Sequence, residues 1–200
     1  MAATIEENRQ SLTRLDSEIG DGDHGTNMRR GFQAAIERLD NTEPASPADA
    51  LKAVSMALIS KVGGAAGPLY GTVFLKASSA LAGKEEVSAQ DAADALEEAL
   101  AGVKLRGKAE AGDKTMVDAL EPAAQAAKEA AGSGSVAEVF RAAADAAAAG
   151  AEATVPLTAK RGRASYMGGR AAGHKDPGAT STHLLLDAAA RVLENASEDA

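Results

Sequence analysis

Alanine recurs in almost every segment of this chain, while the aromatic residues that usually fill a core are nearly missing: Trp is absent, and aromatics make up 2% of the sequence. A core must therefore be assembled from Ala, Leu, Val, Ile and Met. Small side chains let helix backbones approach closely, and Ala has the highest helix propensity, so local preference and packing agree on helix against helix. With 45% hydrophobic residues in a chain of 200, one domain spanning residues 1–200 can bury such a core. No segment sustains the apolar–polar alternation of a half-buried strand. The expected fold is all-α, a barrel or bundle of about eight helices, antiparallel because most connections are short.

Cap and periodicity signals place those helices. The first covers about 4–16 and the second starts near Thr26 and runs to about Leu39. Ser46 with Pro47 and Asp49 opens a third, whose buried stripe is Leu51, Val54, Leu58 and Val62. A fourth runs from about Leu69 to Leu81. Ser88–Asp91 opens a fifth, with Leu96, Leu100 and Val103 on one face. A sixth starts near Asp113. Ser135 and Glu138 form a capping box for a seventh reaching about Ala153, and the last spans roughly Thr180 to Asn195. The tail, 194–200, is expected to fray. Residues 154–178 form a long connection rich in Gly and Arg, and connections of that length in compact domains are usually functional or disordered.

The formal net charge of −8 disfavours nonspecific binding to nucleic acid or to an anionic membrane, and no basic cluster interleaved with aromatics is present. There is no cysteine, so disulfides and thiolate metal sites are excluded, which fits a cytoplasmic location. "MAATIEENRQSLTRLD" has no signal-peptide core, and no run approaches the roughly 18 apolar residues of a membrane span.

Charge concentrates instead in "LDSEIGDGDHGTNMRRGF". Asp16, Asp21 and Asp23 lie within eight residues, and Gly20, Gly22 and Gly25 let the backbone bend so that the carboxylates can converge. Converging carboxylates repel unless a cation relieves them, and hard oxygen ligands suit Mg²⁺ or Ca²⁺. An EF-hand is excluded: counted from Asp21, positions 5, 6 and 12 hold Gly25, Thr26 and Phe32. On residue types alone the corner is equally an ordinary turn in which Asp23 or Thr26 caps the second helix, with His24 and Asn27 as polar surface.

Three further stretches carry possible phosphate chemistry. "KVGGAAGPLYGT", 61–72, places small residues before a helix start, where backbone amides and the helix dipole favour anions, although it lacks the G-K-[ST] of a Walker A loop. A plain interhelical turn reads the same way. "RGKAEAGDKTM", 106–116, offers Lys108 or Lys114 to phosphate and Met116 to a base; solvated lysines and a core methionine are the ordinary alternatives. "KRGRASYMGGR" supplies Arg161, Arg163 and Arg170, donors matched to phosphate oxygens, on glycine-hinged chain that fits either a lid or a disordered surface loop.

With "LDSEIGDGDHGTNMRRGF", "VGGAAGPLYGT", "RGKAEAGDKTM" and "KRGRASYMGGRAAGHKDPGATS" in this order, the chain resembles the nucleotide-binding L subunits of bacterial dihydroxyacetone kinases. The acidic corner is shared with the nucleotide-binding domain of fatty-acid kinases, but His24 and the later stretches match the former better. The resemblance implies an all-helical antiparallel barrel with the nucleotide at one end. It implies that Asp16, Asp21 and Asp23 hold two Mg²⁺ ions, and that His24, Gly25, Thr26, Asn27, Ala65 and Ala66 contact the ADP or ATP. Gly107 and Met116 would border the base. Arg163 would be catalytic and, with Asp176, Pro177 and Gly178, would close the site from a lid. The first helix should be shorter than in relatives, because the chain begins close to the acidic motif.

The activity implied is phosphoryl transfer to dihydroxyacetone held on a K subunit, with ADP retained and rephosphorylated by a phosphohistidine-carrying M subunit of the phosphotransferase system. An L subunit separate from its K domain favours that donor. The alternatives are a subunit of an ATP-dependent kinase for dihydroxyacetone or a related ketose, and a nucleotide-dependent coregulator of a transcription factor.

Overall fold

The structure, a computed structural model, describes residues 1–198. Its α-helices are α1 (Ala2–Glu7), α2 (Arg9–Ile19), α3 (His24–Thr42), α4 (Pro47–Lys61), α5 (Ala66–Ala80), α6 (Ala89–Gly107), α7 (Val117–Ala131), α8 (Val136–Ala153) and α9 (Pro177–Glu198). From α3 to α9 each helix packs on its successor, and α9 meets α1 and α2, which lie on α3 and close the ring. Counting α1 and α2 as one broken stave, the ring has the eight members expected. No strand occurs among the described residues, and no helix there is long and apolar enough to cross a membrane.

The departures from the expected elements have local causes. The first helix breaks at Asn8, whose amide Nδ2 donates to the Thr4 carbonyl while Ser11 Oγ donates to the carbonyl of Asn8. Such side chains compete with the helical backbone for its partners. α7 begins at Val117 rather than near Asp113, because residues 110–116 are tied into a turn by Asp113 and Asp118. α9 begins earlier than expected, at Pro177, with the Asp176 carboxylate accepting from the Ala179 amide at 2.7 Å. Asp then Pro is a cap followed by a first helical residue. The tail continues α9 through Glu198; residues 199–200 lie outside the described residues. Within 154–178 two short 3-10 turns between Arg163 and Ala171, joined by a kink at Gly168 with φ 56°, replace structureless loop.

The core follows composition. Between α6, α7, α8 and α9 it is almost entirely alanine, including Ala119, Ala123, Ala143 and Ala147, all at 0% exposure. Helices this close leave no room at Gly150, where an added Cβ would lie 2.2 Å from the Asp118 carbonyl oxygen. The other half uses larger residues: Leu12, Met28, Leu58 and the edge-to-face pair Phe32 and Phe74, ring centroids 6.1 Å apart. Inside the ring an apolar cavity of about 530 Å³ is bordered by Leu51, Phe74, Leu96, Phe140 and Leu186.

An up-and-down ring sorts helix ends. The N-termini of α4, α6 and α8 lie at one end. Those of α3, α5, α7 and α9 gather at the other, around a second cavity of about 520 Å³ that His24, Ala66, Val117 and Pro177 all border.

Candidate functional site

Four helix N-termini converging on one cavity give it a positive backbone potential, suited to an anion. The acidic corner sits on its rim. Asp16, on the last turn of α2, is 9% exposed, and its Oδ2 accepts from the amides of Asp23 at 2.8 Å and His24 at 3.1 Å. α3 is thus capped from another helix. Asp23 occupies the N-cap position without using its own carboxylate there, so the local-cap alternative for this turn does not describe it. Gly20 makes the arrangement possible: a Cβ there would stand 2.1 Å from Asp16 Oδ1. The outcome is one oxygen each from Asp16, Asp21 and Asp23, all within 4.8 Å of one another. Three hard oxygens at that separation fit a divalent cation such as Mg²⁺.

His24 is buried and its Nε2 lies 2.8 Å from Ser181 Oγ. Burial holds its pKa below the usual histidine value, against the opposing pull of Asp16 and Asp23. Ser181 Oγ is also 2.6 Å from the Tyr70 hydroxyl, which donates to the Gly178 carbonyl. Burial pushes the phenol up to about 12, so it stays a neutral donor. Tyr70 and Met116 border both cavities and form the floor between them.

The neighbours of His24 are placed differently. Gly25 packs against α2, Thr26 is exposed, and Asn27 is buried facing Gly63, accepting from Arg30 Nη2 at 2.6 Å. None of the three lines the cavity itself; Ala65 and Ala66 do, with Gly64 before them. Gly107 and Met116 border it together with Leu69 and Val103, an apolar part of its lining. Lys108 is exposed.

The loop after α8 closes one side. Its underside, Ala159, Ala164, Met167 and Ala171, packs on Ile19 at the end of α2. Lys160 and Arg161 are held by Asp113, 3.4 and 3.7 Å away. Arg163 Nη1 reaches 3.0 Å from Asp21 Oδ2, bringing the loop guanidinium onto the acidic corner. Arg170 is exposed and does not line the cavity. At the far end of the loop Asp176, Pro177 and Gly178 border the cavity, and Asp176 is buried. Its desolvated carboxyl is pushed up to about 7, against the cap from the Ala179 amide.

Sequence reasoning missed Tyr70, Ser181, Leu69 and Val103. Tyr70 and Ser181 are 111 residues apart, and only the closed ring joins them. The signal for Tyr70 was an aromatic with a polar tip in a chain nearly devoid of aromatics.

The DAK2 domain family model matches residues 18–191. The chain is 45% identical over 197 residues, 98% of its length and 90% of the relative's, to the ADP-binding subunit DhaL of PEP-dependent dihydroxyacetone kinase 2 from Listeria innocua. It is 41% identical over 176 residues to the corresponding DhaL subunit of Escherichia coli K12, covering 88% of this chain and 84% of that one. The crystal structure of the C. freundii dihydroxyacetone kinase in complex with AMP-PNP and Mg²⁺ superposes with a TM-score of 0.74 at 29% identity, over 96% of this chain and 32% of that larger one. The chain belongs to the DAK2 domain family.

Proposed function

We propose that this chain is the nucleotide-binding subunit of a PEP-dependent dihydroxyacetone kinase. It binds ADP with Mg²⁺ and passes a phosphoryl group to dihydroxyacetone on a separate K subunit. The nucleotide stays as a cofactor and is recharged in place by a phosphohistidine-carrying M subunit. The observation that carries the reading is the convergence of Asp16, Asp21 and Asp23 with Arg163 on the cavity where four helix N-termini meet. The identities of 45% and 41% to subunits named PEP-dependent and ADP-binding, matched over 90% and 84% of their length, support that donor.

The residues divide the work by position. Leu69, Val103 and Met116 offer the base an apolar slot with Gly107 at its edge. The backbone at Ala65–Ala66 and at Pro177–Gly178 presents helix starts to the phosphates. Asp16, Asp21 and Asp23 would hold two divalent ions, which when bound neutralise phosphate charge as Lewis acids. Arg163, already at Asp21, is placed to add guanidinium donors to the transferring group. The loop packed on Ile19 keeps water from one side of that group.

The test is production of dihydroxyacetone phosphate from a phosphohistidine donor, this chain carrying catalytic ADP, and substrate-loaded K subunit. Turnover of many products per ADP is expected. Transfer that needs stoichiometric ATP would point to an exchanging kinase subunit, and binding of nucleotide without transfer to a coregulator.

A further inference from the structure

Lys114 is the largest side chain buried to under 2% exposure, at 1%, and its backbone is left-handed, φ 61°. Both features cost free energy and persist only where the surroundings impose them. Its Nζ donates to the carbonyl oxygens of Thr154 at 2.6 Å, Val155 at 3.4 Å, and His174. An ammonium has three N–H donors, and three carbonyls take them all, so none is left for a phosphate. The acceptors are the two ends of one loop: Thr154 and Val155 follow α8, and His174 precedes α9. The same neck is pinched by Gly173 N donating to the Val155 carbonyl at 2.8 Å and by Asp176 N donating to Thr154 Oγ1 at 2.9 Å. The carboxylates facing the ammonium are Asp118 and Asp176.

We infer that Lys114 is a positioning residue, a buried clasp that shuts the neck of the 154–178 loop and so holds Arg163 over the cavity. This rests on the reading of Arg163 as a phosphate-facing group. Lys114 borders the cavity, but its three donors are taken up by main-chain carbonyls, so it acts on the ligand through the loop. A lysine that fixes both ends of the loop's main chain makes the loop a held wall rather than a free flap, with two 3-10 turns, kinked at Gly168, between the clasp and Arg163.

The test uses the full chain with Lys114→Met, which keeps length and removes charge and donors. Trypsin should cut after Arg161, Arg163 or Arg170 at least about ten-fold faster than in wild type, the factor set by losing hydrogen bonds to a buried charge. Release of Mg·ADP should accelerate by a similar factor, with helical circular dichroism unchanged. Val139→Ala, a buried substitution on α8 away from the loop, serves as the control: it should lower Tm while leaving loop cleavage and Mg·ADP release at wild-type rates. Faster loop cleavage in Lys114→Met than in a control matched for Tm supports the clasp. Cleavage at the control's rate overturns it, and lost Mg·ADP affinity with unchanged cleavage would make Lys114 a direct ligand contact instead. Should Lys114→Met not fold, Lys114→Gln takes its place, a shorter side chain with neither the charge nor the third donor and with a polar amide to ease burial. Faster cleavage there supports the clasp, and a wild-type rate overturns it. If wild-type protein binds no Mg·ADP, the kinase reading fails, while the cleavage rates still decide the clasp.

Discussion

The two ends of the barrel solve the same problem in opposite ways. At the end holding the starts of α4, α6 and α8, each helix is sealed by its own sequence. Ser46 caps with Asp49, and Ser88–Asp91 and Ser135–Glu138 are complete capping boxes. At the other end α5 and α7 follow Ala65 and Met116, which have no side-chain cap to give. α3 is capped by Asp16 from the preceding helix. A helix start without a local cap has amides to offer something else. At the structural end the starts of α4, α6 and α8 are each sealed by a local Ser cap, whereas at the end that takes an anion α9 has a local cap from Asp176, α7 has only Thr115 Oγ1 on its first amide, and the caps of α3 and α5 are borrowed or missing.

That contrast can be broken at each end. The largest effect should come from Asp21→Ala, which removes one of three converging oxygens: transfer falls by at least about 100-fold while helical circular dichroism is retained. Unchanged transfer in a folded variant would remove the metal assignment. Arg163→Ala should lower transfer by about 100-fold or somewhat less, and because that side chain is 65% exposed, Tm should hardly move.

Asp176 sharpens the comparison through pH. Its folded pKa, raised to about 7, lies above the unfolded value of about 3.9, so the native state binds the extra proton between them. Stability from this group is greatest below about pH 4 and declines as pH rises through about 7. Tm measured from pH 5 to 8 should carry that downward contribution, and Asp176→Asn, which keeps a capping oxygen, should flatten it. An unchanged slope would mean that Asp176 is ionised throughout. The smallest effect belongs to the sealed end: Ser135→Ala should cost about 1 kcal/mol and lower Tm by about 2–4 °C. Mg·ADP affinity should stay at its wild-type value, and a change there would deny the separation of the two ends.

The sealed end was readable because a capping box is written within four residues. The all-α barrel was readable too, since composition, spacing and short connections agree. At the open end the acidic corner, the glycine turn and the arginine loop announced themselves by residue type, but their closure did not. Asp16 caps α3 from seven positions back, within α2, and His24 meets Ser181 across 157. Lys114 looked like a surface lysine because burial is a property of the ring, not of the neighbouring letters. The break at Asn8 was hidden because an Asn inside a helical pattern signals a break only when its side chain finds a backbone partner.

The most direct test of the central claim is the nucleotide content of the purified protein after long gel filtration in Mg²⁺ buffer. The account predicts about one ADP per chain, retained because four helix starts, three carboxylates and a clasped loop surround it. Protein that emerges empty, and binds no ADP with excess Mg²⁺ restored, would contradict it.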